Sequence, residues 1–373
     1  MNGKKRLSNI LQGKPVDRVS WTTIADNTTR SNMPQEYKAL PIYDFYRKIG
    51  SDIFQFGGYS MPDNTYAIYP YIIKSEYKHE SRLLPNGVYE NMRELFGKKL
   101  VSYTKNGYPV KYAVQTEQDI ELLISMWQSS RFVRITDEKQ LAVCSESYQK
   151  INESIGGDGI FAPTLEPSPV QDLIENECGV ENFYELLSDY PELMERLIDT
   201  MYAIRREEYQ ALAEMTPFEC VIPVENTSTA LISPKLYRKY SLPHMREFSE
   251  IMRKHGKKAI IHMCGHLKHL LPDLKETGMD GIHTLTPPSI GDCPFETALD
   301  ILGDDLIIIG TLDGGVFQNP YSTYEDIKRC VKNTLTPRIK AANFILLAVA
   351  DGIPTDVWRF EAVNEAVLDY GAK

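Results

Sequence analysis

"AIIHMCGHLKHLL", residues 259–271, decides how the rest of the chain is read. The first part, "AIIHMCG" (259–265), is a short aliphatic run closed by a glycine, and His266 and His269 then follow at helical spacing. A brief apolar run bounded by glycine suits a buried strand, and the spacing after it suits a turn leading into a helix. Together they predict one βα unit.

The same unit recurs along the chain. Strands are predicted at "VSWTTIAD" (19–26), "DIFQFGG" (52–58), "GIFAPTLE" (159–166), "ECVIPVEN" (219–226), "GIHTLTP" (281–287), "LIIIGTLDGG" (306–315) and "ILLAVADG" (345–352). Helical patterns separate most of them: residues 191–215 open on Pro191, and residues 233–256 open on a Ser-Pro pair and meet Pro243. A first amphipathic helix, within "KKRLSNILQGKPVDR", is stopped by Gly13 and Pro15. Strands alternating with helices in this number predict an α/β fold, a (β/α)8 TIM barrel. Residues 66–115 break the rhythm with alternating polar and apolar residues and the turn signals "PNG" and "KNGYP". They read as a β-hairpin insertion after strand 2, within one barrel domain covering 1–373.

Bulk properties narrow the function classes. With 373 residues and a net charge of −10, the chain does not suit a broad nucleic-acid or anionic-membrane surface. No run approaches the ~18–20 apolar residues of a spanning helix, and the basic start lacks a secretory signal. Cys144, Cys178, Cys220, Cys264, Cys293 and Cys330 are scattered without a CxxC pair, which suits reduced thiols in a cytoplasmic protein. All but Cys264 read as packing residues.

Barrel active sites lie at the C-terminal ends of the strands. There the sequence places Asp26, Glu166, Glu225, Asn226, His262, Cys264, His283, Asp313 and Asp351. His262 and Cys264, two apart, face the same way on a strand, and imidazole with thiolate suits zinc. The competing reading is a histidine and a cysteine at a core edge. His283 reads as a site residue or a satisfied core histidine, and Glu225 as a proton-handling carboxylate or a hydrogen-bonded barrel acid. His266 and His269 read as an exposed turn, or as a partner behind a ligand. Glu166 and Asn226 are candidate substrate contacts, while Arg30 and Arg359 are placed to clasp a substrate carboxylate.

The chain resembles the uroporphyrinogen decarboxylase superfamily, in its corrinoid-linked, zinc-dependent methyltransferase branch. The resemblance rests on "RLSNILQGKPVDRVSW", "LFGKK…GYPVKYAVQTEQDIELL", "LISPKLYRKYSLPHM", "IHMCGHLKHLLPDLKETGMDGIHTL" and "LIIIGTLDGG", in family order. It implies zinc held by a His-x-Cys pair, here His262 and Cys264, with a later cysteine on the last strand. Reading back from "GIP", that cysteine's place falls on Asp351. An aspartate there is either a harder third ligand or a cap on the final helix; Cys330, in a helix, is a poorer substitute. An oxygen donor would make the metal a stronger Lewis acid, which suits breaking a methyl ether.

The resemblance further implies a separate corrinoid protein as partner and a small methylated substrate, best an aromatic methyl ether undergoing O-demethylation. A homodimer is left open. The alternatives are methyl transfer from methylcobalamin to a thiol, and decarboxylation of a tetrapyrrole. Tetrapyrrole decarboxylases share an arginine-rich stretch near the N-terminus, whereas "IADNTTRSNMP" offers Arg30 alone. A structural zinc module would normally need more cysteines than this site supplies.

Overall fold

Strand alternation builds this molecule from the inside out, because successive side chains point to opposite faces. The computed structural model describes residues 1–57, 68–215 and 218–373. The barrel strands are Ser20–Ile24, Ile53–Phe56, Gly159–Ala162 continuing as Thr164–Leu165, Cys220–Pro223, Lys258–His262, Gly281–Leu285, Ile307–Thr311 and Asn343–Val349. Gly58, the end of the second strand candidate, lies outside the described residues.

The strands run parallel. The first pairs with the eighth, and pairing continues from the eighth back through the fourth to Thr164–Leu165. The second strand pairs with Gly159–Ala162, Ile53 opposite Gly159 and Phe56 opposite Ala162. The Asp52 amide donates to the Trp21 carbonyl at 2.9 Å across the remaining seam. The eight predicted strands are thus present as the staves of a (β/α)8 barrel.

Inward positions are aliphatic at the N-terminal end. Phe54, Ile160, Cys220, Ile222, Ile260, Ile307, Ile309, Ile345 and Leu347 form an inner core. Outward positions such as Trp21, Val221, Ile261, Ile282 and Leu346 belong to the larger core beneath the helices.

The first helix, Gly3–Leu11, stops the N-terminal end of the barrel. The Asn2 side chain caps it by accepting from the Lys5 amide at 3.0 Å. Its apolar stripe, Leu7, Ile10 and Leu11, packs into the inner core. Arg6, buried beside that stripe, donates to both Asp52 oxygens at 2.6 and 2.9 Å and to Asp17 at 2.8 Å. A short amphipathic helix is therefore a stopper rather than a surface element.

Between the second and third strands, Lys78–Leu83, Val88–Leu95, Lys98–Lys105 and Tyr108–Lys111 form a four-stranded antiparallel sheet in chain order. Residues 66 and 67, the start of the expected insertion, lie outside the described residues. A short strand, Tyr71–Lys74, pairs instead with Arg131–Arg134, beyond the expected end. The sheet buries Leu95 and Leu100. Arg93 ties it to the barrel's upper rim by donating to both Glu177 oxygens, at 2.7 and 2.5 Å.

The helix at 191–215 is Pro191–Glu214. The one expected at 233–256 comes in pieces: Pro234–Leu236, a π-helical turn over Tyr237–Ser241, then Leu242–Lys254. The wider turn accommodates Pro243, which has no N–H to donate backwards. Among the described residues, no helix is long and apolar enough to cross a membrane.

Candidate active site

His262 ends the fifth strand, on the inward face that Ile260 occupies one layer below. Its strand neighbour in register is His283, and the two Nδ1 atoms lie 2.7 Å apart. At that separation one of them carries the proton and donates to the other. Phe56, inward on the second strand, stacks on both rings with centroids 5.1 Å from His262 and 4.5 Å from His283. Burial lowers the His262 pKa to about 4 and holds that of His283 well below the usual histidine range. Both imidazoles are therefore neutral at pH 7, the form in which histidine offers a lone pair.

Two strained residues bracket this pair. Asn226 has φ 46° and its amide donates to the His262 carbonyl at 3.0 Å. Thr284, with φ 64°, sits at a register shift between the sixth and seventh strands. A β-branched residue in the left-handed region is unusual and costs roughly 1–3 kcal/mol. Here the twist brings the Thr284 hydroxyl to 3.4 Å from His262 Nδ1, while it donates to the His283 carbonyl at 2.5 Å. A bulge at a barrel rim is a common way to aim a side chain.

Cys264 lies just beyond the strand end, and its thiol donates to Asn226 Oδ1 at 3.7 Å. Burial and the Glu175 carboxylate push that thiol above its ordinary pKa. His262, Cys264 and Asp351 all line one cavity of about 500 Å³ at the C-terminal mouth. Its walls are Ile24, Phe56, Val224, Ile290, Leu312 and Val349, with Thr284, Thr286, Thr311 and Gln318 as neutral polar groups. Asp351 does not cap the final helix: the residue at the start of Val357–Tyr370 is Asp356.

The remaining expected residues have other neighbours. Arg30 is buried and donates to the Leu40 carbonyl at 2.6 Å and Asn27 Oδ1 at 3.0 Å, with its guanidinium over Phe45. Arg359 donates to the carbonyls of Phe317 and Asn319 at 2.8 and 2.9 Å. Both arginines tie down loops, and neither is among the described residues that line the cavity. Glu225 is fully buried and accepts from the Ser168 amide and hydroxyl, both at 2.8 Å, and from Thr227 at 3.0 Å. Burial raises its pKa to about 7, and its place is a tie between two rim loops outside the cavity. His283 sits beside His262 on the next strand and is not among the described residues that line the cavity.

Glu166 lines a second hollow with Tyr69, Tyr71, Glu175 and Glu208, separated from the first by Val224. Asp313 accepts from the Gly315 amide at 2.9 Å, and Asp26 from the Thr29 amide at 2.7 Å, so both organise turns. Phe56 and Thr284 were not among the sequence candidates. Phe56 had a signal, being two residues from Phe54 on an inward face; Thr284 had none.

As placed, the donors do not form a closed zinc site. Among the described residues, no group of three or more His, Cys, Asp or Glu side chains could hold a metal ion. His262 and Cys264 are two suitable donors, and Asp351 shares their cavity without converging on them.

The family model for uroporphyrinogen decarboxylase (URO-D) matches residues 171–367, from the helices after the third strand to the last helix. The chain belongs to the uroporphyrinogen decarboxylase family. A methylated-thiol–coenzyme M methyltransferase of Methanosarcina mazei is 30% identical over 139 residues, 36% of this chain. That match spans 35% of the relative, about a third of its length. A methyltransferase of solved structure from Methanosarcina mazei matches over 99% of both chains with a TM-score of 0.58 and 15% identity, a likeness of fold. The matched segment includes both His262 and Cys264.

Proposed function

We propose that this URO-D family member is a methyltransferase, moving a methyl group between a small substrate and the cobalt of a corrinoid carried by a separate protein. The observation that carries the reading is the pairing of neutral His262 with Cys264 at the floor of an apolar mouth cavity. A decarboxylase of a many-charged tetrapyrrole needs cations, and the two arginines nearest the strand ends are committed to backbone carbonyls.

The best substrate is an aromatic methyl ether. Phe56 and the aliphatic walls would hold an aromatic body, leaving its methyl toward the mouth where a cobalt face can approach. Loss of the methyl leaves a phenolate that needs a proton or a positive partner. Without a metal, the Cys264 thiol, held protonated by burial and Glu175, is a proton source inside the cavity; on zinc it would be a thiolate and would leave that role to other groups. Neutral His262, its tautomer set by His283, can take up or pass on a proton at its other ring nitrogen. The zinc implied by the family resemblance would rest on His262 and Cys264, with Asp351 as a third donor only after rearrangement, and no step here is drawn through it.

The alternative, methyl transfer from methylcobalamin to a thiol, shares with the name of the Methanosarcina mazei relative, a methylated-thiol–coenzyme M methyltransferase, only a sulfur substrate. The test is to mix the purified protein with a reduced corrinoid protein and a panel of methoxylated aromatics, and follow methylcobalt absorbance. Methylation from at least one ether supports the reading. Failure with every ether, alongside ready methylation of a thiol from methylcobalamin, would reverse the direction.

A further inference from the structure

We infer that the Phe96–Gly97 turn of the inserted sheet is a docking anchor for the partner protein, a plug for an apolar socket edged with carboxylates. That this partner is the corrinoid carrier rests on the function proposed above; the anchor itself is read from the turn.

Leu95 and Lys98 stand opposite each other with two residues between them, and both of those have positive φ, 51° at Phe96 and 76° at Gly97. Such a turn favours Asn-Gly or Gly-Gly, and a bulky side chain at its first position is a conformational outlier. The next hairpin of the same sheet follows the rule: Lys105 and Tyr108 flank Asn106 and Gly107, at φ 52° and 84°. Phe96 holds a strained backbone with no packing to compensate, since it is 85% exposed. A Cβ placed on Gly97 would meet nothing within 4 Å, so among the described residues the turn stands clear. Strain and exposure at one large ring mark a contact made outside the chain.

The surroundings fit an acidic protein. Of thirteen large apolar side chains exposed among the described residues, six lie within 72–110: Ile72, Leu83, Tyr89, Phe96, Tyr108 and Val110. Residues 71–111 carry eight lysines and arginines against four glutamates, in a chain of net charge −10. Within the sheet Arg82 answers Glu90 at 2.9 Å and Lys99 answers Glu94 at 3.4 Å. Lys98, exposed beside the plug, stands opposite Leu95 rather than an acid. Glutamates interleaved in this way would repel a nucleic-acid backbone but suit the polar rim of a protein interface. The Arg93–Glu177 pair holds the sheet at the barrel rim, two residues from Glu175 of the hollow that adjoins the mouth cavity. None of residues 78–111 lines that cavity, so Phe96 is placed for a partner and not for the small substrate.

The test uses the full chain with a reduced corrinoid protein and with free cob(I)alamin. Phe96→Asn removes the ring and supplies a residue the turn favours, so its melting temperature should equal or exceed that of the unaltered protein. Its dissociation constant for the corrinoid protein, measured by sedimentation, should rise about tenfold or more. The corrinoid-protein concentration giving half-maximal methylation should rise in step. Methyl transfer to free cob(I)alamin, which has no socket to fill, should be unchanged. Lys98→Glu should weaken binding most at low salt. An unaltered dissociation constant in Phe96→Asn, or an equal loss of rate with free cob(I)alamin, overturns the inference. So does failure of the unaltered protein to bind the corrinoid protein, or Phe96-dependent binding of single-stranded DNA in its place. If binding depends on Phe96 but no ether yields methylcobalt, the methyl-transfer reading fails and the docking anchor stands.

Discussion

His262 owes its usefulness to what surrounds it: Phe56 on one face, His283 against Nδ1, and the Thr284 hydroxyl beside the same atom. His283→Leu keeps the packing but removes the group that sets the tautomer. Methyl transfer should fall on the order of 10- to 100-fold, by analogy with other partners that orient a functional histidine. The check is the rate of methylcobalt formation together with the imidazole nitrogen resonances of His262, which a packing role alone would leave unmoved. Cys264→Ala should lower bound zinc as well as activity; full zinc content in that variant would remove Cys264 from the ligands. Glu225 gives a pH signature. Its folded pKa of about 7 lies above the unfolded value near 4.5, so its protonated form favours folding. That contribution is whole below about pH 4.5 and is lost as pH rises through 7, by roughly 3 kcal/mol for a shift of this size. Melting curves should show the unaltered protein losing stability from pH 5 to 7.5 relative to Glu225→Gln; parallel curves would refute the assignment. His262 and Cys264 were legible because a period of two places them on one face, a rule that needs only local sequence. The loop contacts of Arg30 and Arg359 were not legible, because most of the acceptors they meet are backbone carbonyls, and a carbonyl in a loop leaves no mark in the sequence. His283 was legible as a histidine on the next strand, yet its role depended on register, which only the folded pairing supplies.

Among the elements, the first helix and the second strand bear most directly on the site. Leu7→Ala would leave a void where the helix meets the inner core and should cost about 3 kcal/mol, read as a lowered melting temperature. Gly57, next after Phe56, has φ 52°, and a Cβ there would lie 2.4 Å from Thr164 Oγ1. Gly57→Ala should therefore destabilise the fold by roughly 1–3 kcal/mol and shift Phe56 off the histidines, visible as changed His262 ring chemical shifts. The strands were readable because aliphatic runs closed by Gly, Asp or Pro are strong local signals. The pairing of Tyr71–Lys74 with Arg131–Arg134 was not, since it joins segments far apart in sequence across an intervening sheet. The π-helical turn before Pro243 shows the same limit: the proline announced a break but not its form.

At the scale of the whole molecule, the antiparallel sheet is a second body leaning on the barrel rim through Arg93 and Glu177. Arg93→Ala strands a buried carboxylate and should cost on the order of 2–3 kcal/mol. If the sheet helps receive the corrinoid protein, the same change should raise the corrinoid concentration needed for half-maximal rate while leaving substrate binding by calorimetry unaltered. The net charge of −10 says little about where that partner sits, because it is a sum over the whole chain and not a map of one face. The stopper helix has the widest consequence. With Leu7, Ile10 and Leu11 filling the far end of the inner core, the cavity that the described residues form is a blind well entered from the mouth. Whatever enters first is trapped beneath whatever arrives second, so traffic through the site is last in, first out. On the function proposed above, a small molecule would load before a cobalt carrier settled over it, and the spent molecule would wait for the carrier to lift. Excess carrier should then act as a lid, slowing turnover at high concentration by blocking an exit it shares with the cargo.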